Sequence, residues 1–299
     1  MINVAFIVNG SRKESTLVNE TIAVAKTSEK LDVSVHRTQY VGHATELAQE
    51  LTPSNDILVA VGGDGTCNEV VNGIQKSKSE AVFGIVPNGT GNDFHRMLGK
   101  FDVAQFILGL EEVKSKQIDL CEIKSKSNSR FALNIAGAGF DGHVVKLLNT
   151  QRSKGMGGKL SYSFAIVRAF LVYKKPTVEI ICEEFTYSGK TLLIAACNGT
   201  TFCHGLVINP TAKLDDGLLC VTFLANVSLM DYVRNLSKLK KGKVIDHPRI
   251  HYFETEQLSI QVKSNALHSE VDGELAYEGD ISLKIIPNAL NLLNPNYGF

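Results

Sequence analysis

The feature that most constrains the fold is a pattern that occurs twice between residues 57 and 94. The apolar run Ile57–Val61 ends in Gly62-Gly63-Asp64-Gly65-Thr66, and the run Val82–Val86 ends in the loop PNGTGNDF, residues 87–94. Each run has the length of a buried strand, and a helical pattern follows each loop. Glycine-rich turns at helix N-termini expose backbone N–H groups that bind phosphate. The sequence therefore predicts two strand–loop–helix turns that face the phosphates of a nucleotide and its metal ion.

The first loop carries a carboxylate at its centre. Asp64 would repel bare phosphate, but a Mg²⁺ ion between the two groups turns this repulsion into attraction. Thr66 and Glu69 have the spacing of a capping box before an apolar stretch, so we expect the helix to begin at Thr66. Taken alone, the loop also fits a tight turn without a chemical role.

The second loop has similar chemistry. Gly89, Gly91 and the Thr90 hydroxyl suit phosphate contacts, whereas Asn92 and Asp93 suit the positioning of a metal, of the loop or of a helix start. Thr90 and Asp93 also have the spacing of a helix cap. Taken alone, this string is an ordinary start of a helix. Next to the first loop, at the end of an adjacent strand, it predicts the other wall of a cleft.

Strands alternate with helices up to about residue 118. Apolar runs at Asn3–Val8 and Val33–Arg37 precede the two runs above, and helical patterns cover Ser15–Ser28 and Gly42–Leu51. This alternation predicts a parallel α/β sheet. Such sheets bind ligands outside the carboxyl ends of their strands. The polar loop Asn9–Lys13 should therefore lie beside the two glycine-rich loops.

The pattern changes in the second half, where short apolar runs are separated by turn residues. This predicts a mostly antiparallel β-sandwich, interrupted by two helical stretches near Lys159–Tyr173 and Leu229–Lys241. We expect a first domain over residues 1–122 and a second over 123–287, with the tail 288–299 packing back on the first. The predicted strands are DLCEIK (119–124), RFALNIA (130–136), TVEIICE (177–183), TLLIAACNG (191–199), LLCVTFLA (218–225), QLSIQV (257–262) and ISLKIIP (281–287).

Composition limits the classes of partner. The 31 basic and 31 acidic residues cancel, so a nucleic-acid partner has no bulk electrostatic support. The six cysteines include no CxxC pair, which indicates reduced thiols in a cytosolic protein. The N-terminus lacks the pattern of a signal peptide, and no run approaches the roughly 18 to 20 apolar residues that span a bilayer. We expect any contact with lipid to come from the membrane surface.

Two strings carry a family resemblance. GGDGTCNEVVNG (62–73) and PNGTGNDFHR (87–96) closely resemble the diacylglycerol kinase catalytic-domain family, which contains small soluble bacterial lipid kinases and is related to sphingosine kinases. NAD kinases and 6-phosphofructokinases share only the GGDG element. Gly10 departs from the family, which usually has proline there. Further matching positions are Phe131, Asn134, Gly137, Gly139, Asp141, Asn198, Gly199, Gly205, Pro210, Ala212, Asp215, Asp216, Gly217, Leu218, Asp272, Gly273 and Glu274.

The resemblance implies roles for particular residues. Glu274 corresponds to the general base, Asp64 to a catalytic carboxylate, and the loop with Lys213, Asp216 and Leu218 to a structural Mg²⁺ site. From the residues alone, Asp272-Gly273-Glu274 reads as a hairpin turn with solvated acids, and residues 213–218 as a polar turn. The implied nucleotide-binding residues are Asn9, Gly10, Ser11, Arg12, Lys13, Thr38, Gly62, Gly63, Asp64, Gly65, Thr66, Asn68, Glu69 and Thr90.

The implied activity is phosphoryl transfer from ATP, with Mg²⁺, to a lipid alcohol. Diacylglycerol, giving phosphatidic acid, is the expected substrate. A sphingoid base, undecaprenol or NAD as acceptor, and a nucleotide-binding regulator without turnover, remain alternatives. We expect a cytoplasmic protein that meets its lipid peripherally at the inner face of the membrane and binds no nucleic acid. The oligomeric state is open, a homodimer included.

Some other patterns are weaker. Residues 137–142 fit GxGxxG, but no acid follows about 20 residues later, so we reject a dinucleotide site. Gly189-Lys190-Thr191 lacks the first glycine of a phosphate loop, and a Cys203–His204 pair is more often structural. Two basic clusters fit either a solvated surface or contact with anionic lipid. They are Arg152, Lys154 and Lys159, and Lys238, Lys240, Lys241 and Lys243.

Overall fold

The computed structural model describes residues 1–126, 128–153, 169–170, 172–203 and 205–293. Two compact units are present. Unit 1 contains Met1–Leu120 and the final strand from Pro287 onward, and unit 2 contains Cys121–Ile286. Most of the helix predicted near residues 159–173, the side chains of the first basic cluster, His204 and the tail beyond Leu293 lie outside the described residues.

The described helices and strands alternate in unit 1 and are mostly strands in unit 2. The helices are α1 (Thr16–Thr27), α2 (His43–Leu51), α3 (Asp64–Ser77), α4 (Asp93–Leu98), α5 (Val103–Glu112), α6 (Phe140–Ser153) and α7 (Leu229–Lys240). The strands are β1 (Ile2–Val8), β2 (Leu31–Arg37), β3 (Ile57–Gly62), β4 (Val82–Pro87), β5 (Ser115–Ser125), β6 (Asn128–Ala132), β7 (Ile135–Gly139), β8 (Thr177–Ile181), β9 (Thr186–Lys190), β10 (Leu193–Cys197), β11 (Thr201–Phe202), β12 (Leu206–Val207), β13 (Leu219–Leu224), β14 (Ile250–Thr255), β15 (Gln257–Ser264), β16 (His268–Val271), β17 (Glu274–Glu278) and β18 (Ile281–Leu293).

Unit 1 is built on a parallel sheet. Its strand order is β2-β1-β3-β4-β18, and every neighbouring pair is parallel. The last strand joins through Asn291 and Leu292, which pair with Val82 and Phe83 of β4. All six residues of β3 are buried, as expected for a central strand covered on both faces. The predicted parallel α/β fold is confirmed.

Helices α1 and α5 begin where side chains cap them. Ser15 caps α1 by accepting a hydrogen bond from the Val18 N–H at 3.4 Å, and Asp102 caps α5 by accepting one from Gln105 N at 3.0 Å. Both helices place apolar side chains against the core of the parallel sheet, including Val18 and Phe106. The predicted helix over residues 15–28 is thereby confirmed within one residue at each end.

Unit 2 is an antiparallel β-sandwich. One sheet has the order β14-β13-β10-β7-β16-β17, with antiparallel neighbours throughout. In the other layer β15 pairs with β8 and with residues 281–284 of β18, again antiparallel. One apolar cluster contains buried residues of both layers, such as Ile194 and Phe223 from the first and Ile180 and Ile260 from the second. The predicted sandwich is confirmed.

No helix of the described residues is long and apolar enough to cross a membrane. Helix α7 of unit 2 has 12 residues. A spanning helix needs about 20.

Candidate active site

The loops after β1, β2, β3 and β4 lie side by side at the carboxyl edge of the parallel sheet. Backbone hydrogen bonds continue from each strand end into the neighbouring loop. Asn9 N donates to Val61 O at 3.0 Å, Thr38 N to Val8 O at 2.9 Å, and Asn88 N to Gly62 O at 2.8 Å. The loops are therefore held in register by the same ladder that aligns the strands.

Side chains predicted to bind nucleotide connect these loops. Asn9 Nδ2 donates to Thr66 Oγ1 at 3.0 Å, and Gly10 N donates to Thr38 Oγ1 at 3.1 Å. Arg12 Nη1 donates to Thr90 Oγ1 at 3.1 Å, across 78 positions of sequence. The structure thus brings residues from all four loops to one edge of the sheet.

Gly10 has a structural reason to differ from the proline that is usual in the family. Proline has no N–H, so it could not make the bond to Thr38 Oγ1. A Cβ at this position would also overlap the Thr38 carbonyl oxygen. The first loop therefore lies closer to Thr38 than a chain with proline there would allow.

Two glycines, Gly63 and Gly89, let the loops after β3 and β4 approach each other closely. A Cβ on Gly63 would lie 3.1 Å from Gly89 Cα, which is tighter than ordinary van der Waals contact. Asn92 closes the Gly89 turn, because its Oδ1 accepts from Gly89 N at 2.9 Å and its Nδ2 donates to Gly89 O at 3.1 Å. This packing keeps the GGDG turn and the GTGND turn together.

The predicted start of helix α3 is wrong, and so is the capping box. The helix begins at Asp64, with Gly63 as a cap without a side chain, and Thr66 lies inside it. The Glu69 carboxylate instead accepts from Gly42 N at 3.0 Å and from Ala44 N at 3.2 Å, at the N-terminus of α2. Glycines at 62 and 63 let the chain turn directly from strand to helix. The Glu69 carboxylate is then not used at the start of its own helix, and it caps the neighbouring helix α2.

Helix α4 likewise begins later than its predicted cap at Thr90. It starts at Asp93, and Asn92, with φ of 51°, occupies the cap position. Thr90 instead accepts the hydrogen bond from Arg12. The left-handed conformation at Asn92 is one that asparagine tolerates better than most residues.

Asp64 is the first residue of α3, where the helix dipole favours negative charge. Its Oδ1 accepts from Phe94 N at 3.2 Å in the first turn of α4. A Cβ on Gly91 would meet Asp64 Oδ2 at 3.0 Å and Asp93 Oδ2 at 3.5 Å, so glycine is what lets both carboxylates approach this backbone.

Carboxylate oxygens are the protein ligands that Mg²⁺ prefers, and it usually takes one or two together with phosphate and water. Asp64 and Asp93 therefore suit a phosphate-bound Mg²⁺. A cage made by protein alone is a different kind of site. The described residues contain no group of three or more His, Cys, Asp and Glu side chains placed to hold a metal.

Other predicted nucleotide residues have structural contacts. Asn68 is fully buried within α3, where its Oδ1 accepts from Asn72 Nδ2 at 3.1 Å, so the structure does not bring it to the loop edge. Ser11 Oγ donates to Asn9 Oδ1 at 2.7 Å, and the Lys13 carbonyl accepts from Asn88 Nδ2 at 3.3 Å. Gly65 lies in the first turn of α3.

Glu274, the predicted base, is the first residue of β17 in unit 2. The two-residue turn before it consists of Asp272 and Gly273, whose φ values are 49° and 83°. Positive φ at both positions is the requirement of the tight turn that suits a β-hairpin. The hairpin predicted from the residues is confirmed.

Asp272 is not a solvated acid, contrary to the reading from the residues alone. Its carboxylate accepts from Leu133 N at 2.9 Å and from Asn134 N and Ile135 N, both at 3.0 Å. Three charge-assisted hydrogen bonds of this kind fix the turn to the connection between β6 and β7. Glu274 is thereby placed at the end of a rigid hairpin.

Arg130 on β6 contacts the predicted base. Its Nη2 donates to Glu274 Oε2 at 2.5 Å, and the two side chains are 24% and 36% exposed. Arg130 was not predicted, because the run in which it lies was interpreted only as a strand. A strand arginine acquires this role only through the pairing of distant elements.

Two more carboxyls lie beneath the same turn. Glu270 Oε2 accepts from Gly273 N at 2.6 Å. Both carboxyls lie against Gly137, where a Cβ would overlap the Asp141 and Glu270 side chains. Burial raises the pKa of Asp141 to about 7. Burial, and then the Asp141 charge, raise the pKa of Glu270 well above its ordinary value. The pair therefore retains a proton near neutral pH. Glu270 was not predicted from the sequence.

The predicted structural metal loop precedes β13. Asp216 Oδ1 accepts from Leu218 N at 3.1 Å, which closes the turn. The donors proposed from the resemblance are this carboxylate and the backbone carbonyls of Lys213 and Leu218. All are oxygen atoms, the donor type that Mg²⁺ requires.

Comparison with known proteins agrees with both units. The family described as "Diacylglycerol kinase catalytic domain" matches residues 3–123. The family described as "YegS C-terminal NAD kinase beta sandwich-like domain" matches residues 134–294. The first covers the loops at the carboxyl edge of the sheet, and the second covers the hairpin with Glu274.

Individual relatives cover nearly the whole chain. A protein of Staphylococcus saprophyticus named diacylglycerol kinase is 30% identical over 265 residues, which are 87% of this chain and 82% of the relative. The fold resembles a crystal structure of a diacylglycerol kinase from Bacillus anthracis, with a TM-score of 0.71, 19% identity and coverage of 98% and 96% of the two chains. An NAD kinase from Archaeoglobus fulgidus in complex with ATP has a more distant fold, with a TM-score of 0.57, 13% identity and coverage of 99% and 94%. The chain belongs to the family of lipid kinases that share the diacylglycerol kinase catalytic domain.

Proposed function

We propose that this kinase transfers the γ-phosphate of ATP to the free hydroxyl of diacylglycerol, with Mg²⁺, and forms phosphatidic acid. The observation that carries the proposal is the arrangement of four loops at one sheet edge, with Arg12 bonded to Thr90 and Asp64 on the first turn of a helix. Diacylglycerol as acceptor is supported by the name of the relative from Staphylococcus saprophyticus.

The loop edge suits a polyphosphate. The GGDG turn joins directly to the N-terminus of α3, where the backbone N–H groups of the first turn and the helix dipole favour anions. Arg12 adds a cation. The hydroxyls of Thr38 and Thr90 lie on two of the loops, and that of Thr66 lies in the first turn of α3. Glu69 contributes indirectly, because it orders the segment that follows Thr38.

Asp64 and Asp93 are the residues that would hold the catalytic Mg²⁺. A bound Mg²⁺ neutralises charge on the phosphates during transfer. The Lys213, Asp216 and Leu218 loop is proposed as a second, structural cation site.

Glu274 is proposed as the general base. Its carboxylate accepts the proton of the lipid hydroxyl while that oxygen forms a bond to the γ-phosphorus and the bond to the β-γ bridging oxygen breaks. Arg130 fixes the orientation of this carboxylate through its hydrogen bond. Since the acceptor is a lipid, we place the enzyme peripherally at the cytoplasmic face of the membrane.

A transfer assay with labelled ATP tests the acceptor. Diacylglycerol, sphingosine, undecaprenol and NAD are offered separately with Mg²⁺, and the label is expected in phosphatidic acid. Faster labelling of another lipid alcohol or of NAD would overturn the proposed substrate. The distant NAD kinase fold makes NAD a necessary arm of the assay. Tight ATP binding without transfer to any of the four would favour a regulator without turnover.

A further inference from the structure

Helix α7 of unit 2 presents an exposed row of side chains at helical spacing. Met230 and Val233 are 58% and 56% exposed, and the other members of the row are also exposed. Such spacing places them along one face of the helix. The exposed row consists of Met230, Val233, Arg234, Ser237, Lys238 and Lys241.

The opposite face holds the helix against unit 2. Leu239 is buried, and Tyr232 packs partly buried in the same apolar cluster as Leu239. The helix start is fixed by a capping box in which Ser228 Oγ accepts from Asp231 N at 3.2 Å and Asp231 Oδ2 accepts from Ser228 N at 3.0 Å. The exposed row is therefore supported by a well-anchored helix.

The segment after the helix adds further cations at its C-terminal end. Lys241 N and Lys243 N both donate to the Lys238 carbonyl at 3.0 Å, so the chain folds back onto the last turn. Lys240, Lys243 and Val244 are exposed as well. The negative end of the helix dipole also favours cations at this place.

The local charge differs from that of the whole chain. The chain has 31 basic and 31 acidic residues, whereas residues 228–246 contain five Lys and Arg and only two Asp. Asp231 belongs to the capping box, and its Oδ1 lies 3.7 Å from His247 Nε2. The other carboxylate, Asp246, lies beyond the row.

We propose that the exposed row of α7, with Lys240, Lys243 and Val244, docks on a bilayer that contains anionic lipid. Met230, Val233 and Val244 would enter the interface between headgroups and acyl chains, and the lysine and arginine side chains would reach the phosphates. An anionic bilayer is the occupant chosen because it offers both negative charge and an apolar layer. The inference rests on the proposed function, in which the acceptor is a lipid.

Vesicle sedimentation tests the surface without nucleotide or diacylglycerol. The full chain is mixed with vesicles of phosphatidylcholine alone or of phosphatidylcholine with phosphatidylserine. Lys238→Glu/Lys241→Glu changes one exposed lysine in the last turn of α7 and one directly after it. The control, Lys26→Glu/Lys76→Glu, reverses two exposed lysines in the last turns of α1 and α3. We expect wild type and the control to bind anionic vesicles. The α7 variant should bind roughly a hundredfold more weakly.

A second pair tests the apolar part. Met230→Ser/Val233→Ser should weaken binding to anionic vesicles, whereas Val24→Ser/Leu108→Ser, which changes exposed apolar residues of unit 1, should not. Binding of wild type should also fall as salt is raised, because the attraction to the headgroups is screened. Equal binding by all variants, no binding by wild type, or binding to RNA but not to anionic vesicles would overturn the proposal.

Activity measured separately distinguishes the two proposals. On short-chain diacylglycerol dispersed as monomers, Lys238→Glu/Lys241→Glu should retain wild-type turnover. Vesicle binding that depends on the exposed row, without phosphorylation of any diacylglycerol, would overturn the proposed function and leave the docking surface intact. Phosphorylation with vesicle binding that is indifferent to the row would overturn the docking surface alone.

Discussion

Glu274 is positioned by two contacts, one on the turn that precedes it and one on its side chain. Asp272 anchors the turn before it, and Arg130 binds its carboxylate. The residue alone would be an ordinary acid after a turn. Its distinguishing property is a fixed orientation, which a general base needs if it is to meet the hydroxyl of the acceptor.

Glu274→Gln should keep the fold and ATP binding but lower turnover by about 10² to 10⁴, because the amide cannot accept the proton. The measurements are the rate of lipid phosphorylation and equilibrium binding of ATP. Glu278→Gln, at the other end of the same strand and exposed, serves as the matched control and should retain activity. Near-normal phosphorylation by Glu274→Gln would contradict the assignment of Glu274 as the general base.

Asp64→Asn should raise the Mg²⁺ concentration that gives half-maximal activity, because one charged oxygen ligand is lost. The amide oxygen can still accept from Phe94 N, so the fold should persist. Asp32→Asn, an exposed substitution on β2, is the control. An unchanged Mg²⁺ dependence in the Asp64 variant would contradict its role at the metal.

Asp141 and the buried Glu270 should make stability depend on pH. The pKa of an unfolded aspartate is near 3.9, whereas that of Asp141 in the fold is about 7. The folded state therefore binds more protons in this interval, and the free energy of unfolding falls as pH rises from about 4 to about 7. Asp141→Asn should show a smaller decline.

Urea unfolding at several pH values measures this effect. Asp246→Asn, an exposed change in the same unit, should follow the wild-type pH profile. If wild type and Asp141→Asn lost stability equally between these pH values, the raised pKa of Asp141 would not be the cause of the loss.

Among single residues, sequence reasoning found those inside contiguous motifs. Asp64, Thr66 and Thr90 belong to strings whose glycines and polar groups indicate phosphate binding. The structure places Thr90 in a loop at the sheet edge and the other two in the first turn of α3. Arg130 and Glu270 lie in ordinary strand sequence. They meet the hairpin only because antiparallel pairing brings distant strands together, which no local pattern encodes.

At the scale of elements, the apolar runs predicted the central strands well. Runs such as β3 and β10 are buried on both faces, so their composition is unmistakable. Strands β14 and β17 were missed because both contain polar and partly exposed residues. Edge or half-exposed strands lack the uninterrupted apolar signal that identifies a central one.

The failed capping box shows how a local rule loses to a tertiary contact. Glu69 caps α2 through two backbone N–H groups, 27 and 25 residues earlier in the chain. Glu69→Ala should destabilise the protein by about 1 to 3 kcal/mol, because two partly buried donors lose a charged acceptor. Chemical unfolding measures this, and the exposed Glu50→Ala on α2 is the control. Equal unfolding midpoints for the two variants would contradict the cap.

At the scale of the whole molecule, the final strand completes a core that begins at residue 1. Leu293 belongs to the apolar cluster of the parallel sheet and is 2% exposed. A Cβ on Gly84 of β4 would lie 3.4 Å from Leu293 Cδ2, so the two fit closely. Unit 1 thus depends on residues that are distant from the rest of it in sequence.

Leu293→Ala should lower the free energy of unfolding by about 2 to 5 kcal/mol, because the cavity in the sheet core cannot fully collapse. Chemical unfolding followed by circular dichroism measures the change. Lys284→Ala, an exposed change on the same strand, should be nearly neutral. A neutral Leu293 variant would show that the last strand contributes little to the core.

The path of β18 also sets an order of assembly on the ribosome. Residues 121–286 of unit 2 are translated before residues 287–293, and until the latter emerge β4 has an unpaired edge where β18 will join. Domains usually fold in order from the N-terminus during synthesis. Unit 1 cannot be completed in that order, because its last strand follows unit 2 in the chain. The nascent parallel sheet should therefore present an open strand to chaperones throughout the synthesis of unit 2.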